Sequence, residues 1–326
     1  LAATNLEVWQ KGLVVKIDSA APTIRKITLR QSMPVKAEPG SHIDLILKSG
    51  KQQLRRSYSV VSQSPDFVEI TIGVLKTRNS RGGSIAMHEL KVGDVLDITQ
   101  PIQNFPLRYS AENYILLAGG IGITALVEMG EALKRARANY RFVYVVKSRN
   151  LAIFANDLAT THGDNFQLFV DDEANELSVE HLVSSAGQGT ELYMCGPIRL
   201  MDDVRREWKK HDLDITNLRY ETFGAGGWFE PEPFKVHIVD RGLEVIVGEN
   251  ESMLDALESA GLEVMADCRK GECGLCELRV VNSKGKIEHR DVFYSEEQKH
   301  EGRKIACCVS RMVSSDDSPE ISVIFG

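Results

Sequence analysis

The sequence predicts a multidomain chain. An antiparallel β-barrel is expected at residues 1–108, a parallel-sheet α/β domain at 109–226 and a small α+β domain at 227–326. Three observations carry that prediction. Val68, Ile70, Ile72 and Val74 alternate with Glu69, Thr71 and Gly73, the period of a strand with one buried face. The apolar run Tyr114-Ile115-Leu116-Leu117-Ala118 leads through a glycine-rich turn into a helical pattern, the rhythm of a parallel sheet. Further on, Ala225-Gly226-Gly227-Trp228-Phe229-Glu230-Pro231-Glu232-Pro233 reads as a linker because of its glycines and prolines.

In the first segment, Ile27 and Leu29 alternate with Thr28 and Arg30, and turn signals at Pro39-Gly40 and Val92-Gly93-Asp94 cut the region into short strands. Strands at such spacing without long helices predict a small barrel. In the second segment Leu126, Met129, Leu133 and Ala136 fall on one helix face. Further strands are expected at Phe142–Val146, Phe166–Val170 and Glu191–Met194, and a helix after Pro197 sets Met201, Val204 and Trp208 on one side. Beyond the linker, Phe234–Val239 and Leu243–Val247 predict a hairpin. Ser252 with Asp255 three residues on predicts a helix start, with Leu254 and Leu257 on its apolar side.

With 326 residues, 43% hydrophobic and 26% charged, the chain holds no apolar run near the ~18 residues a membrane span requires. A net charge of −7 argues against nucleic acid as the main partner. The charge is uneven: from Lys235 onward there are 12 Lys/Arg against 18 Asp/Glu, so most of the excess sits on the last segment. An acidic face there is either plain solvated surface or a means of steering towards a basic partner. No secretory segment is read at the start, and grouped cysteines suit a reducing compartment, so a cytoplasmic location is expected.

Those cysteines carry the first chemical signal. Cys268-x4-Cys273-x2-Cys276, with a distant Cys307-Cys308 pair, is the spacing of a plant-type [2Fe–2S] cluster held by four thiolates. Gly271 and Gly274 let the loop backbone wrap closely. Zinc favours paired C-x2-C knuckles or nearby histidines, and only one C-x2-C is present. Spacing alone leaves Cys307 and Cys308 open as the fourth ligand.

Two motifs in the barrel segment suit a flavin. In Arg55-Arg56-Ser57-Tyr58-Ser59, Arg56 can fork onto a phosphate, Tyr58 shares its side of the strand and can lie beside an isoalloxazine, and Ser59 can bond the flavin edge near N5. Ser80-Arg81-Gly82-Gly83-Ser84 is a glycine turn opening a helix, whose N–H groups suit an anion. In the second segment Gly119-Gly120-Ile121-Gly122-Ile123-Thr124 joins a buried strand to a helix where a pyrophosphate can sit, although it is not the G-x-G-x-x-G fingerprint. Tyr193-Met194-Cys195-Gly196-Pro197 ends another strand, where ligands of open α/β sheets bind. There Cys195 either abuts a nicotinamide or is one more buried cysteine.

In this order the motifs resemble the phthalate dioxygenase reductase family over essentially the whole chain. The resemblance implies a flavin barrel, a pyridine-nucleotide domain and a C-terminal plant-type ferredoxin domain of β-grasp fold. It implies FMN held by Arg56, Ser57, Tyr58, Ser59, Arg81, Gly82, Gly83 and Ser84, and NADH held by Gly120, Gly122, Thr124, Cys195, Gly196 and Pro197. Cys308-Val309-Ser310-Arg311 resembles the family's closing Cys-x-Ser-Arg, which makes Cys308 the fourth ligand beside Cys268, Cys273 and Cys276. Glu221-Thr222-Phe223-Gly224 resembles the family's closing aromatic segment, so Phe223 either covers the flavin or is a core aromatic. With Ser59 and Cys195, Phe223 would flank the site of hydride transfer.

Two departures stand out: Ala125 follows Thr124 where the family has proline, and 31 residues separate Cys276 from Cys308, which enlarges the 282–304 region. The expected function is an oxygenase reductase, taking hydride from NADH onto FMN and passing single electrons through the cluster to a Rieske-type terminal oxygenase. Alternatives keep the redox path but use FAD, NADPH (Lys147 and Arg149 follow the second strand) or another acceptor such as a cytochrome P450 or corrinoid protein. A redox sensor is the rival from another class, and it would need neither nucleotide nor flavin motif.

Overall fold

The computed structural model describes residues 7–49, 52–77, 82–223, 229, 231–314 and 318–325. The chain divides into two compact units, Leu1–Gly196 with Asp203–Glu221, and Pro197–Asp202 with Thr222–Gly326.

The first unit begins with strands β1 (Trp9–Ala21), β2 (Ile24–Gln31), β3 (Ser41–Ser49), β4 (Gln52–Gln63) and β5 (Glu69–Leu75), followed by helix α1 (Gly83–Glu89), β6 (Val95–Thr99) and β7 (Ile102–Gln103). The first six strands pair antiparallel in the ring β4-β5-β2-β1-β6-β3, which β3–β4 pairing closes, and β7 adds to β3. Closure removes exposed sheet edges. The alternation seen in the sequence is the alternation of burial: Ile27, Leu29, Ile70, Ile72 and Val74 are fully buried in the barrel core beside Ile43, Leu45 and Ile98.

The same unit continues with β8 (Asn113–Gly119), α2 (Val127–Arg135), β9 (Tyr140–Val146), α3 (Ala155–His162), β10 (Phe166–Val170), α4 (Val179–Ser184), β11 (Thr190–Cys195), α5 (Ile198–Lys210), whose residues up to Asp202 are counted with the second unit, and β12 (Leu218–Glu221). These five strands pair parallel in the order β10-β9-β8-β11-β12. Met201, Val204 and Trp208 are buried along α5 as their spacing predicts. Ala136 is exposed, because α2 stops one residue earlier and Arg137 turns into the left-handed region at φ 54°.

The second unit holds β13 (Phe234–Ile238), β14 (Leu243–Val247), α6 (Met253–Ser259), β15 (Glu277–Lys284), β16 (Lys286–Glu288), α7 (Glu296–Glu301), β17 (Lys304–Ala306), β18 (Arg311–Val313) and β19 (Glu320–Ile324). Its main sheet runs β14-β13-β19-β15-β17, and β16 pairs with β18. Ser252 and Asp255 form the expected capping box of α6. Most of the predicted linker, 224–228 and 230, lies outside the described residues.

Arg311 ties this unit together. It is 4% exposed, stands 5.1 Å from the Phe234 ring, and donates to the carbonyls of Glu251 (2.6 Å), Gly248 (2.7 Å) and Glu232 (3.0 Å). Removing such a donor strands buried acceptors at ~1–3 kcal/mol each. Arg311→Met is therefore expected to destabilise the unit by about 3 kcal/mol, measured as loss of its visible chromophore at a lower temperature.

Candidate functional site

Arg56, Ser57, Tyr58 and Ser59 lie consecutively on β4, paired with Leu45, Asp44, Ile43 and His42 of β3. Alternation sends them to different work. Arg56 packs on the opening turn of α1, so closely that a side chain at Gly83 would put its Cβ 2.7 Å from Arg56 Nε. The two barrel motifs thus meet in space, although Arg81 lies outside the described residues. Ser84 Oγ is 3.2 Å from both the Thr77 nitrogen and its hydroxyl, and Gly82 has a φ of 84°. The Ser57 hydroxyl is taken by the buried Asp44 carboxylate, which Arg55 also grips through Nε at 2.8 Å. Tyr58 packs against the barrel core, and burial pushes its phenol up to about 12, so it stays a neutral donor.

Ser59 is buried, and its hydroxyl donates to Glu221 at 3.4 Å. Glu221 is the last residue of β12 and pairs with Cys195, the last residue of β11. Glu221 is the partner that sequence reasoning missed. Its neighbour Phe223 is 37% exposed, which excludes a core aromatic.

The strand order of the parallel sheet reverses between β8 and β11, and ligands of open α/β sheets bind outside the carboxyl ends of the strands at such a point. Both glycine motifs stand there. A 3-10 turn spans Gly120–Ala125 before α2 begins, a detour that the helical periodicity does not register. Gly122 crosses directly over the Cys195 carbonyl and Gly196 nitrogen, and Gly196 packs less tightly on the Gly119 backbone. Gly120 faces open space with a φ of 55°. Thr124 turns away: its hydroxyl donates to the Ile121 carbonyl at 2.9 Å and its methyl sits against Gly73 of β5. Cys195 is buried at 1% exposure, and Pro197 is exposed at the start of α5.

In the second unit, Cys268, Cys273 and Cys276 lie on one loop. The Cys268 sulfur accepts from the N–H groups of Lys270, Glu272 and Cys273, each at 3.4 Å. Cys276 and Cys308 sulfurs are 3.1 Å apart. Contact with the Cys307 and Cys308 thiols holds Cys276 well below the ordinary thiol value. Cys308 also faces Cys268 and the Gly271 amide.

Four thiols, with backbone amides aimed at sulfur, fit a [2Fe–2S] cluster in donor chemistry. Among the described residues no group of His, Cys, Asp or Glu is arranged for a lone metal ion. The enlarged 282–304 segment closes over this loop. Asp291 Cα would lie 2.9 Å from a Cβ at Gly271, Val292 N–H donates to the Gly271 carbonyl at 3.0 Å, and the Phe293 ring covers Gly274.

Residues 236–313 match the 2Fe-2S iron-sulfur cluster binding domain, and residues 99–218 match the dimethylamine monooxygenase subunit DmmA-like N-terminal domain. The carnitine monooxygenase reductase subunit of Acinetobacter baumannii is 31% identical over 314 residues, covering 95% of this chain and 96% of its own. The heme-dependent oxidative N-demethylase beta subunit of Ectopseudomonas mendocina is 33% identical, covering 91% of this chain and 94% of its own. The crystal structure of phthalate dioxygenase reductase superposes with a TM-score of 0.73 at 26% identity, covering 98% of each chain. Barrel, parallel sheet and iron–sulfur domain follow in the same order along its length, and the chain belongs to the phthalate dioxygenase reductase-like family of flavin and [2Fe–2S] oxidoreductases.

Proposed function

We propose that the chain is the reductase component of a multicomponent oxygenase, oxidising NADH and delivering electrons singly to a Rieske-type terminal oxygenase, with FMN and a [2Fe–2S] cluster as its carriers. When bound, the flavin takes up an electron pair and the cluster releases it one electron at a time. The observation that carries this reading is the contact of Ser59 with Glu221. It sets the strand bearing Arg56 and Tyr58 at the carboxyl edge of the parallel sheet, where Gly122, Cys195 and Gly196 meet.

In this reading Arg56, with Arg81 and the Gly82-Gly83-Ser84 turn, holds the flavin phosphate. Tyr58 packs beside the ring, and Ser59 orients its edge. Gly120, Gly122, Thr124, Gly196 and Pro197 shape the nucleotide loop, and Cys195 and Phe223 border the nicotinamide path. Cys268, Cys273, Cys276 and Cys308 hold the cluster. Three domains at 1–108, 109–226 and 227–326 would each carry one group. Alignment of donor and acceptor is the protein's contribution, since hydride transfer here calls for no acid or base. Arg56→Gln is expected to weaken flavin binding about 10–100-fold, the worth of a charge-assisted contact, measured by flavin release on dilution.

NADH is the donor in this reading; Arg149, after the second parallel strand, forks onto Glu173 (Nε to Oε1 2.7 Å), an exposed ion pair that would compete with a 2′-phosphate. Glu173→Gln should raise kcat/KM for NADPH several-fold and leave that for NADH unchanged. A haem oxygenase is the second reading for the acceptor, favoured by the heme-dependent oxidative N-demethylase relative. The test is an anaerobic absorbance titration with NADH, followed by identification of the released flavin and reconstitution with a Rieske or a haem oxygenase. Bleaching of both flavin and cluster bands supports the electron path; a protein without flavin overturns it.

A further inference from the structure

A cavity of about 520 Å³ opens on the barrel between the β1–β2 hairpin, the end of β5 and the last turn of α1. Arg25, Lys76 and His88 line it together with the Ser19 hydroxyl, while Ala20, Ala21 and Pro22 give it an apolar wall. No carboxylate is among the described residues that line it. The cavity therefore has only cationic and neutral walls, which favours an anionic occupant. The hairpin is irregular at this spot: the β1–β2 register shifts between Ser19 and Ala21, so Ala20 is an extra residue outside the ladder. His88 is fixed from the other side, its Nε2 lying 3.2 Å from the Val74 carbonyl.

We propose that this cavity is a binding site for a small organic dianion, with Arg25 and Lys76 gripping its charged groups and the alanine–proline wall covering its carbon skeleton. The volume lies in the range of small-molecule sites and exceeds what an inorganic anion fills. Two acidic groups on one short skeleton match two separate cations and explain why an organic ligand, rather than a polymer, fits a closed hairpin corner. Burial, and then the charges of Arg25 and Lys76, hold His88 below its ordinary value. An anion between the three reverses the charge effect, so binding takes up a proton and weakens as pH rises above the lowered value of His88 in the free protein.

The proposal does not depend on which redox groups the chain carries. The test is calorimetric titration of the holoprotein at constant ionic strength with succinate and, separately, with glycerol 3-phosphate, at pH 6 and pH 8. Saturable binding of either probe is expected, and that of succinate, still mostly a dianion at pH 6, is tighter at pH 6 than at pH 8. Arg25→Gln and Lys76→Gln should each weaken it about tenfold or more with the visible spectrum unchanged, and His88→Gln should remove the pH dependence. Succinate alone marks a dicarboxylate site and glycerol 3-phosphate alone a phosphate-ester site. No saturable heat with either probe, or binding that survives the Arg25→Gln/Lys76→Gln double change, overturns the proposal.

Discussion

Cys308→Ala should yield a protein that keeps its flavin but binds no iron–sulfur cluster, whereas Cys307→Ala should keep both. The two residues are adjacent and both buried, so sequence position does not separate them. Both thiols meet Cys276, but Cys308, at 3.1 Å from it, also faces Cys268 and the Gly271 amide, which favours it as the ligand. A missing thiolate leaves an iron without its fourth protein sulfur, and the loss is expected to be complete rather than partial. Iron and sulfide analysis, with the electron paramagnetic resonance of the reduced protein, reads the result. A cluster that survives Cys308→Ala and disappears in Cys307→Ala would reverse the assignment. In the cluster-free variant NADH should still bleach the flavin band, while electron delivery to a one-electron acceptor protein falls to background.

Gly122→Ala is expected to have the next largest effect. The new Cβ would collide with the Cys195 carbonyl and lie 2.8 Å from the Gly196 nitrogen, backbone atoms that no side-chain rotation can move away. Relief requires the ends of β8 and β11 to part, at an overpacking cost of about 1–3 kcal/mol. The same displacement widens the crevice proposed for the nucleotide. KM for NADH should rise tenfold or more, with flavin and cluster content unchanged. Gly120→Ala provides the contrast. Nothing lies within 4 Å of its added Cβ, and only its φ of 55° resists, at roughly 1 kcal/mol. If both variants bound NADH equally well, the crevice would not be the nucleotide site.

Period and capping made much of this fold legible. Ile70, Ile72 and Val74 announce β5, Met201, Val204 and Trp208 announce the buried side of α5, and Ser252 with Asp255 announces α6. These are local signals, written in residues that touch or lie within a few turns of one another. The short helices α3 and α4 carry little apolar periodicity and passed unread. β12 is only four residues long, and its decisive contact, Glu221 with Ser59, spans 162 positions of sequence. No pattern in a single chain encodes such a meeting. The 282–304 region was visible only as extra length; that Asp291 and Phe293 pack on Gly271 and Gly274 follows from tertiary packing alone. Ser57 and Thr124 stand inside the right motifs, yet their hydroxyls are bonded to Asp44 and to the Ile121 carbonyl, a distinction a motif does not make.

The parallel pairing of β13 with β19 has a consequence for biosynthesis. Lys235 to Ile238 lie beside Glu320 to Val323, and β19 also joins β15, so the strand made last is the one that unites the sheet. His237 and Glu320 are 83 residues apart, which at ribosomal speeds of about 5–20 residues per second is a wait of roughly 4–17 seconds. In the later part of that interval the Cys268–Cys276 loop has already been made while the edge of β13 still lacks β19. Pairings this distant in sequence form late and slowly. Iron therefore meets either an open half-sheet on the ribosome or a finished fold afterwards, and a truncation before Glu320 would leave the cysteines present but their scaffold in two pieces.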